Sequence, residues 1–260
     1  MPLTTFQAKL AKLLAKNRTP DSYLAGGAAL HLAPYSKRFS NDLDYFHDSE
    51  ERVDSAFADD IALLENEHYE VKILMRKSGF FRAVVSLQGQ STKVEWAHDS
   101  AWRFLPTQVS MEAGYLLNPI DLGLNKLLAL VGRDEPRDYI DIHVVISTVL
   151  PLGALCWAAA GKDPGFTPMM LLELLRRRGK IRPEDIHRLS LVEPVDLIQL
   201  KMTWLKQLEE AEIFIQSRNP AESGCLYYSK TQKKFIQPTI EDLVTPHYGK
   251  PGGIIPTYMV

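Results

Sequence analysis

Cysteine is nearly missing from this chain of 260 residues: Cys156 and Cys225 are the two present, far apart, and neither has a Cys or His at metal-ligand spacing. That excludes a disulfide framework and a thiolate zinc site, and it fits a reducing cytoplasm. Long apolar runs are missing too, and none approaches the roughly 20 residues of a membrane-spanning helix. The N-terminal stretch has lysines between its leucines and lacks the long apolar core of a signal peptide. An excess of charge of one sign is absent, the formal net charge being −2. A polyanionic partner would therefore have to be met by a local basic patch. There is no internal repeat. What remains, 45% hydrophobic and 24% charged, is the composition of an ordinary globular protein, long enough for one good-sized core or a compact catalytic domain with a helical companion.

The most informative stretch is YLAGGAALHLAPYSKRFSNDLDYF, residues 23–46. Side chains alternate across a strand, so Asp42 and Asp44 share one face while Leu43 and Tyr45 take the other. Two carboxylates on one face suit a hard divalent cation such as Mg²⁺, which takes oxygen ligands and usually also holds substrate phosphates. Upstream, Gly26 and Gly27 stand between an expected strand, Ser22–Ala25, and an expected short helix at residues 28–32. Without a Cβ, their backbone N–H groups can approach a ligand closely, and the helix start adds unpaired donors for a triphosphate. His31, Lys37 and Arg38 lie between glycines and aspartates; the two cations are read either as phosphate contacts or as a solvated loop.

This arrangement, Gly26-Gly27, fourteen residues, then Asp42-Leu43-Asp44, resembles the signature of the DNA polymerase β-like nucleotidyltransferases. In its flavour, with Ser40 just before the acidic strand, it is similar to the AbiEii/AbiGii toxin family of toxin–antitoxin and phage-defence systems. The resemblance implies a mixed α/β (α+β) sheet with flanking helices, followed by a helical C-terminal region. It further implies transfer of a nucleoside monophosphate from an NTP to a hydroxyl, with Mg²⁺ (or Mn²⁺) in a two-ion site. Gly26, Gly27 and Ser40 would receive the triphosphate. The acceptor it implies is RNA, a tRNA 3′ end among the candidates, and a cognate antitoxin is the implied partner. The runner-up readings are transfer to a small molecule or a protein, and a catalytically silent nucleotide-binding module.

The rest of the chain fits this frame. Residues 4–17 read as an amphipathic helix whose Phe6, Leu10, Leu13 and Leu14 pack on the sheet, and residues 49–67 as an acidic helix with Val53, Phe57, Ile61 and Leu64 inward. Strands are expected at residues 69–76, 80–87 and 92–97, with glycine turns between. On the last, Lys93, Glu95 and Ala97 share a face. The superfamily's third acid lies on such a later strand, so Glu95 is the candidate third metal ligand beside Asp42 and Asp44, and Asp99 the fallback.

After Pro119, NPIDLGLNKLLALVGRDEPRDYIDIHVVI is similar to the family's second block. Its buried stripe of Leu124, Leu127, Leu128 and Val131 turns Lys126 to another face, free to point at a ligand. The resemblance makes Lys126 a triphosphate contact, Arg137 a nucleotide contact, and Asp138 or Asp141 the candidate for polar work near the attacking hydroxyl. By spacing alone Arg137 and Asp141 can pair, whereas Asp138 and Asp141 would repel unless a cation sits nearby. Asp134 is a candidate helix cap.

From residue 150 the chain reads as successive helices. Arg176, Arg177, Arg178, Lys180 and Arg182 form the densest basic cluster, read either as a dipole-stabilised helix end or as RNA-phosphate contacts. Residues 224–238 read as a hairpin and the Pro/Gly-rich end as an extended arm; Tyr227, Tyr228 and Tyr248 are candidates for stacking on bases or for holding down that tail. The expected organisation is a catalytic core at 1–117, a helical region completing the active site at 118–220, and a hairpin with arm at 221–260, in the cytoplasm. The sequence leaves the oligomeric state, the nucleotide and the acceptor open.

Overall fold

The structure, a computed structural model, describes residues 3–32, 37–133, 135–178 and 181–259. They fall into two compact units: Met1–Asn118 with Pro251–Gly253, and Pro119–Lys250 with Ile254–Val260.

The first unit starts with α1 (Thr5–Leu14), set by a capping box in which Thr4 and Gln7 exchange side-chain and backbone hydrogen bonds. The chain then makes β1 (Ser22–Ala25), the short α2 (Gly26–Leu30), β2 (Asp42–His47) and α3 (Glu50–Asn66). The strands β3 (Glu70–Lys77), β4 (Phe80–Leu87) and β5 (Gln90–His98) follow, then the short β6 (Trp102–Arg103), β7 (Gln108–Ser110) and β8 (Gly114–Leu116). Seven strands form one mixed sheet in the order β3-β4-β5-β2-β1-β8-β7. The β2–β5 and β1–β8 pairs are parallel and the others antiparallel. Sequence reading located β1 to β5 to within about two residues. It missed β7 and β8, whose three residues each are too few to show alternation.

One face of the sheet is the core. Leu43 and Tyr45 of β2 and Val94 and Trp96 of β5 pack with Val53, Phe57 and Leu64 of α3. The Phe57 ring stacks on Phe81 at 4.0 Å and meets Trp96 edge-on at 5.2 Å. Inside lies a buried ion pair that apolar periodicity does not reveal. Arg18 Nη2 is 2.6 Å from both carboxylate oxygens of Asp60, which also accept from Trp96 Nε1 at 2.7 Å and Asn17 Nδ2 at 2.9 Å. These donors satisfy the carboxylate, which is what makes its burial tolerable.

The second unit comprises α4 (Pro119–Arg133), α5 (Pro136–Thr148), α6 (Leu152–Lys162), α7 (Pro168–Arg177), α8 (Pro183–His187) and α9 (Leu197–Ser217). The α6 helix is buried from Leu152 through Ala159. The expected hairpin forms as β9 (Leu226–Ser229) and β10 (Lys234–Ile236). The arm differs from expectation: β11 (Val244–His247) pairs with β9 and makes a three-stranded sheet, β10-β9-β11. Tyr227 and Tyr228 are buried in that sheet, Tyr227 donating to Glu222 Oε2 at 2.8 Å, so they serve packing and not base stacking. Among the described residues no single helix is long and apolar enough to cross a membrane.

Candidate active site

The acidic face is built by strand register. Parallel pairing sets Asp42 opposite Lys93 and Asp44 opposite Glu95, while antiparallel pairing sets Asp44 opposite Ala25 and Arg82 opposite Glu95. With Leu43, Tyr45, Val94 and Trp96 in the core, these polar residues are left on the other face. Asp42, Asp44 and Glu95 each offer a carboxylate oxygen, and the three lie within 4.8 Å of one another. Asp99, past the end of β5, is outside this grouping; its Oδ1 accepts the Ser100 N–H at 2.9 Å.

Two charges that close repel by roughly 3 kcal/mol at an effective dielectric constant of about 20, so such a cluster needs cations. Among the described residues, Lys93 and Arg82 supply two. Lys93 Nζ is 2.8 Å from Asp42 Oδ2 and 3.0 Å from Glu95 Oε1, and Arg82 Nε donates to the same Glu95 oxygen at 2.8 Å. Partial burial opposes the Lys93 charge, but the hydrogen bonds and charges of Asp42 and Glu95 outweigh it and hold its pKa above the ordinary value.

The glycines do more than open a turn. Gly26 has φ +60°, and a Cβ there would fall 1.9 Å from Asp44 Oδ2. A Cβ on Gly27 would fall 2.8 Å from Arg38 Nη2 and 3.1 Å from Ser40 Oγ. Both glycines belong to α2, which starts two residues earlier than expected and spans five, so few peptide dipoles add at its start. Arg38 is buried here, which removes the solvated-loop reading for it, whereas Lys37 is exposed. Ser40 is held from both sides: its hydroxyl donates to the Asp42 carbonyl at 2.9 Å, and its own carbonyl accepts from Gln7 Nε2 at 3.0 Å.

In the helical unit, Lys126 is not free as its helix face suggested. It is buried with Nζ 2.7 Å from Asp141 Oδ2 and 4.0 Å from Asp138 Oδ1. Asp138 is gripped by Arg133, whose Nε and Nη2 donate at 2.6 and 2.8 Å. Two side chains of α4, Lys126 and Arg133, thus relieve the Asp138–Asp141 repulsion. Spacing did not reveal Arg133, because it acts across a helix junction. Arg137 is half-buried in the first turn of α5. Asp134, the candidate cap, and Lys180 of the basic cluster lie outside the described residues. Of that cluster, Arg176 pairs with Glu173 and Glu212, and Arg182 with Asp185. Such partners lessen its appeal as a phosphate site.

The mixed sheet thus carries a glycine pair against paired aspartates. The sequence model for the nucleotidyl transferase AbiEii toxin of type IV toxin–antitoxin systems matches residues 10–214, and the chain belongs to that family. Three solved structures share the fold. JHP933 from Helicobacter pylori is 18% identical over 81% of this chain and 91% of its own, with a TM-score of 0.51. A candidate nucleotidyltransferase from H. pylori is 19% identical over 81% and 94%, TM-score 0.52. MenT4, the nucleotidyltransferase toxin Rv2826c from Mycobacterium tuberculosis H37Rv, is 16% identical over 82% of each chain, TM-score 0.53. No curated protein sequence matches the chain. Family membership makes it a nucleotidyltransferase toxin, with an NTP substrate and a cognate antitoxin.

Proposed function

We propose that the chain transfers a nucleoside monophosphate from an NTP to a hydroxyl of an RNA, with a tRNA 3′ end the first acceptor to test, in the cytoplasm. The observation that carries this reading is the Asp42–Asp44–Glu95 cluster lying against Gly26. The donors are the hard oxygen ligands that Mg²⁺ prefers, and the missing Cβ lets Asp44 lie directly against the Gly26 backbone. Asp42, Asp44 and Glu95 would hold Mg²⁺, which when bound neutralises triphosphate charge and acidifies a coordinated hydroxyl. Gly26 and Gly27 supply backbone N–H groups for the triphosphate, and Ser40 and Arg38 add a hydroxyl and a guanidinium beside Gly27. For the helical unit the family resemblance gives Lys126 as a triphosphate contact, Arg137 as a nucleotide contact, and Asp138 or Asp141 as the group for polar work near an attacking hydroxyl. The Lys126–Asp141 pair orients the ammonium.

Transfer of label from each α-labelled NTP to total RNA tests the reading. Label on RNA that disappears in the Asp42→Ala, Asp44→Ala variant is the expected result, and the labelled species names the acceptor. No label from any NTP, from a folded protein that binds Mg²⁺-NTP, would remove RNA and turn the search to small-molecule and protein acceptors.

A further inference from the structure

Lys93 and Arg82 are cations on the acidic face to which the proposed mechanism gives no work, and Lys93 is the one that bridges two of the carboxylates. It is opposite Asp42 in the parallel β2–β5 register and two residues from Glu95, so its side chain rises on the same face as all three carboxylates. Its ammonium bridges Asp42 Oδ2 and Glu95 Oε1 at 2.8 and 3.0 Å. Glu95 Oε1 also accepts from Arg82 Nε at 2.8 Å. A carboxylate oxygen has about two lone-pair directions, and two cationic donors already engage those of Oε1. An ion seated between Asp42 and Glu95 would have to displace the Lys93 ammonium and compete with the Arg82 guanidinium.

We propose that Lys93 is a resident second cation of the cluster, held by Asp42 and Glu95, and that the site consequently takes one divalent ion, bound chiefly by Asp42 and Asp44. Oε1 of Glu95 is then the anchor of Lys93, fixed by Arg82, and Oε2 is the oxygen Glu95 has left for the ion. The ammonium is a compact point charge and suits this place better than a planar guanidinium. Lys93 is a positioning residue: it touches the groups that hold the ion. The inference rests on the nucleotidyltransferase reading, and it changes the number of ions that reading needs.

The test counts ions. Mn²⁺ is titrated into the full chain at fixed pH and followed by electron paramagnetic resonance, for the wild type, Lys93→Arg, Lys93→Gln and Lys93→Met. Thermal melting checks that each is folded, and Lys93→Gln keeps hydrogen-bonding capacity if Lys93→Met fails to fold. The expected result is one Mn²⁺ per chain for wild type and Lys93→Arg. In the uncharged variants either a second ion binds or the first binds at least ~10-fold tighter, the change that about 1.4 kcal/mol produces. Two ions in the wild type, or uncharged variants with unaltered number and affinity, would overturn the inference. NTP-label transfer by the wild type, run alongside, separates the failures. Transfer with two ions sinks the role of Lys93 alone, whereas no transfer and no Mn²⁺ binding sinks the nucleotidyltransferase reading with it.

Discussion

The Asp44 carboxylate occupies the space that a side chain on Gly26 would fill, 1.9 Å from the ideal Cβ position. Gly26 is also at φ +60°, so two independent constraints exclude any other residue there. Gly26→Ala is expected to push Asp44 out of the cluster, lowering both Mn²⁺ affinity and transfer by ~100-fold, and to destabilise the fold by about 1–3 kcal/mol through backbone strain. Gly27→Ala meets the flexible tip of Arg38 and is milder: NTP KM should rise while Mn²⁺ affinity holds. Comparing metal titrations with steady-state kinetics for the two variants checks this; equal effects on Mn²⁺ would show the assignment to be wrong.

Lys126, Asp141 and Asp138 form a buried charge network in the helical unit, with the half-exposed Arg133 closing it from outside. Removing Lys126 leaves Asp141 without its ammonium, and breaking a buried pair from one side typically costs about 3–5 kcal/mol. Lys126→Met should therefore lose stability as well as activity. Lys126→Met combined with Asp141→Leu should recover most of the stability in urea unfolding and none of the transfer. Restored transfer in the double variant would show that neither residue has a chemical role.

In the sheet unit, the Arg18–Asp60 pair is fully buried. Asp60→Ala strands the guanidinium and removes the acceptor for Trp96, with an expected loss of about 3–5 kcal/mol. Thermal and urea unfolding measure it, and a loss under about 1 kcal/mol, the size of a surface pair, would contradict it.

Stability should fall with acid, because two histidines are buried neutral. Burial first, then the charges of Arg18 and Arg52, lower the pKa of His47 to about 3, and burial lowers that of His143 to about 4. Unfolded histidines take up protons near pH 6.5, so between about pH 6.5 and 4 the unfolded chain binds more protons, and lowering the pH favours unfolding. Each contributes about 2 kcal/mol of lost stability at pH 5 and nothing above about pH 7.5. His47→Asn should make the pH dependence of unfolding shallower between pH 6.5 and 5. An unaltered slope would count against a neutral, buried His47.

Much of this molecule was legible in the order of its residues. Alternation placed Asp42 and Asp44 on one face of β2 and Lys93 and Glu95 on one face of β5, because a strand's period of two is local and independent of its neighbours, while the family resemblance suggested that Glu95 joins the aspartates. Glycines, prolines and apolar spacing marked most helices and strands for the same reason: those preferences act over a few residues. The family, too, could be named from the glycine pair and the acidic strand.

Pairing across the chain was decided by tertiary structure. No local rule says that β5 lies parallel to β2 in the register that sets Lys93 beside Asp42, that Asp44 fills the space over Gly26, or that Arg133 reaches Asp138. Nor does the apolar stripe of α3 reveal that Asp60 is buried against Arg18, 42 residues away in the chain. The strands β7, β8 and β11 escaped for a related reason, since segments of three or four residues carry too little pattern and are strands only because a partner completes their hydrogen bonds. The sequence determined which chemical groups face which side of each element. Long-range packing and charge neutralisation decided which of those groups meet.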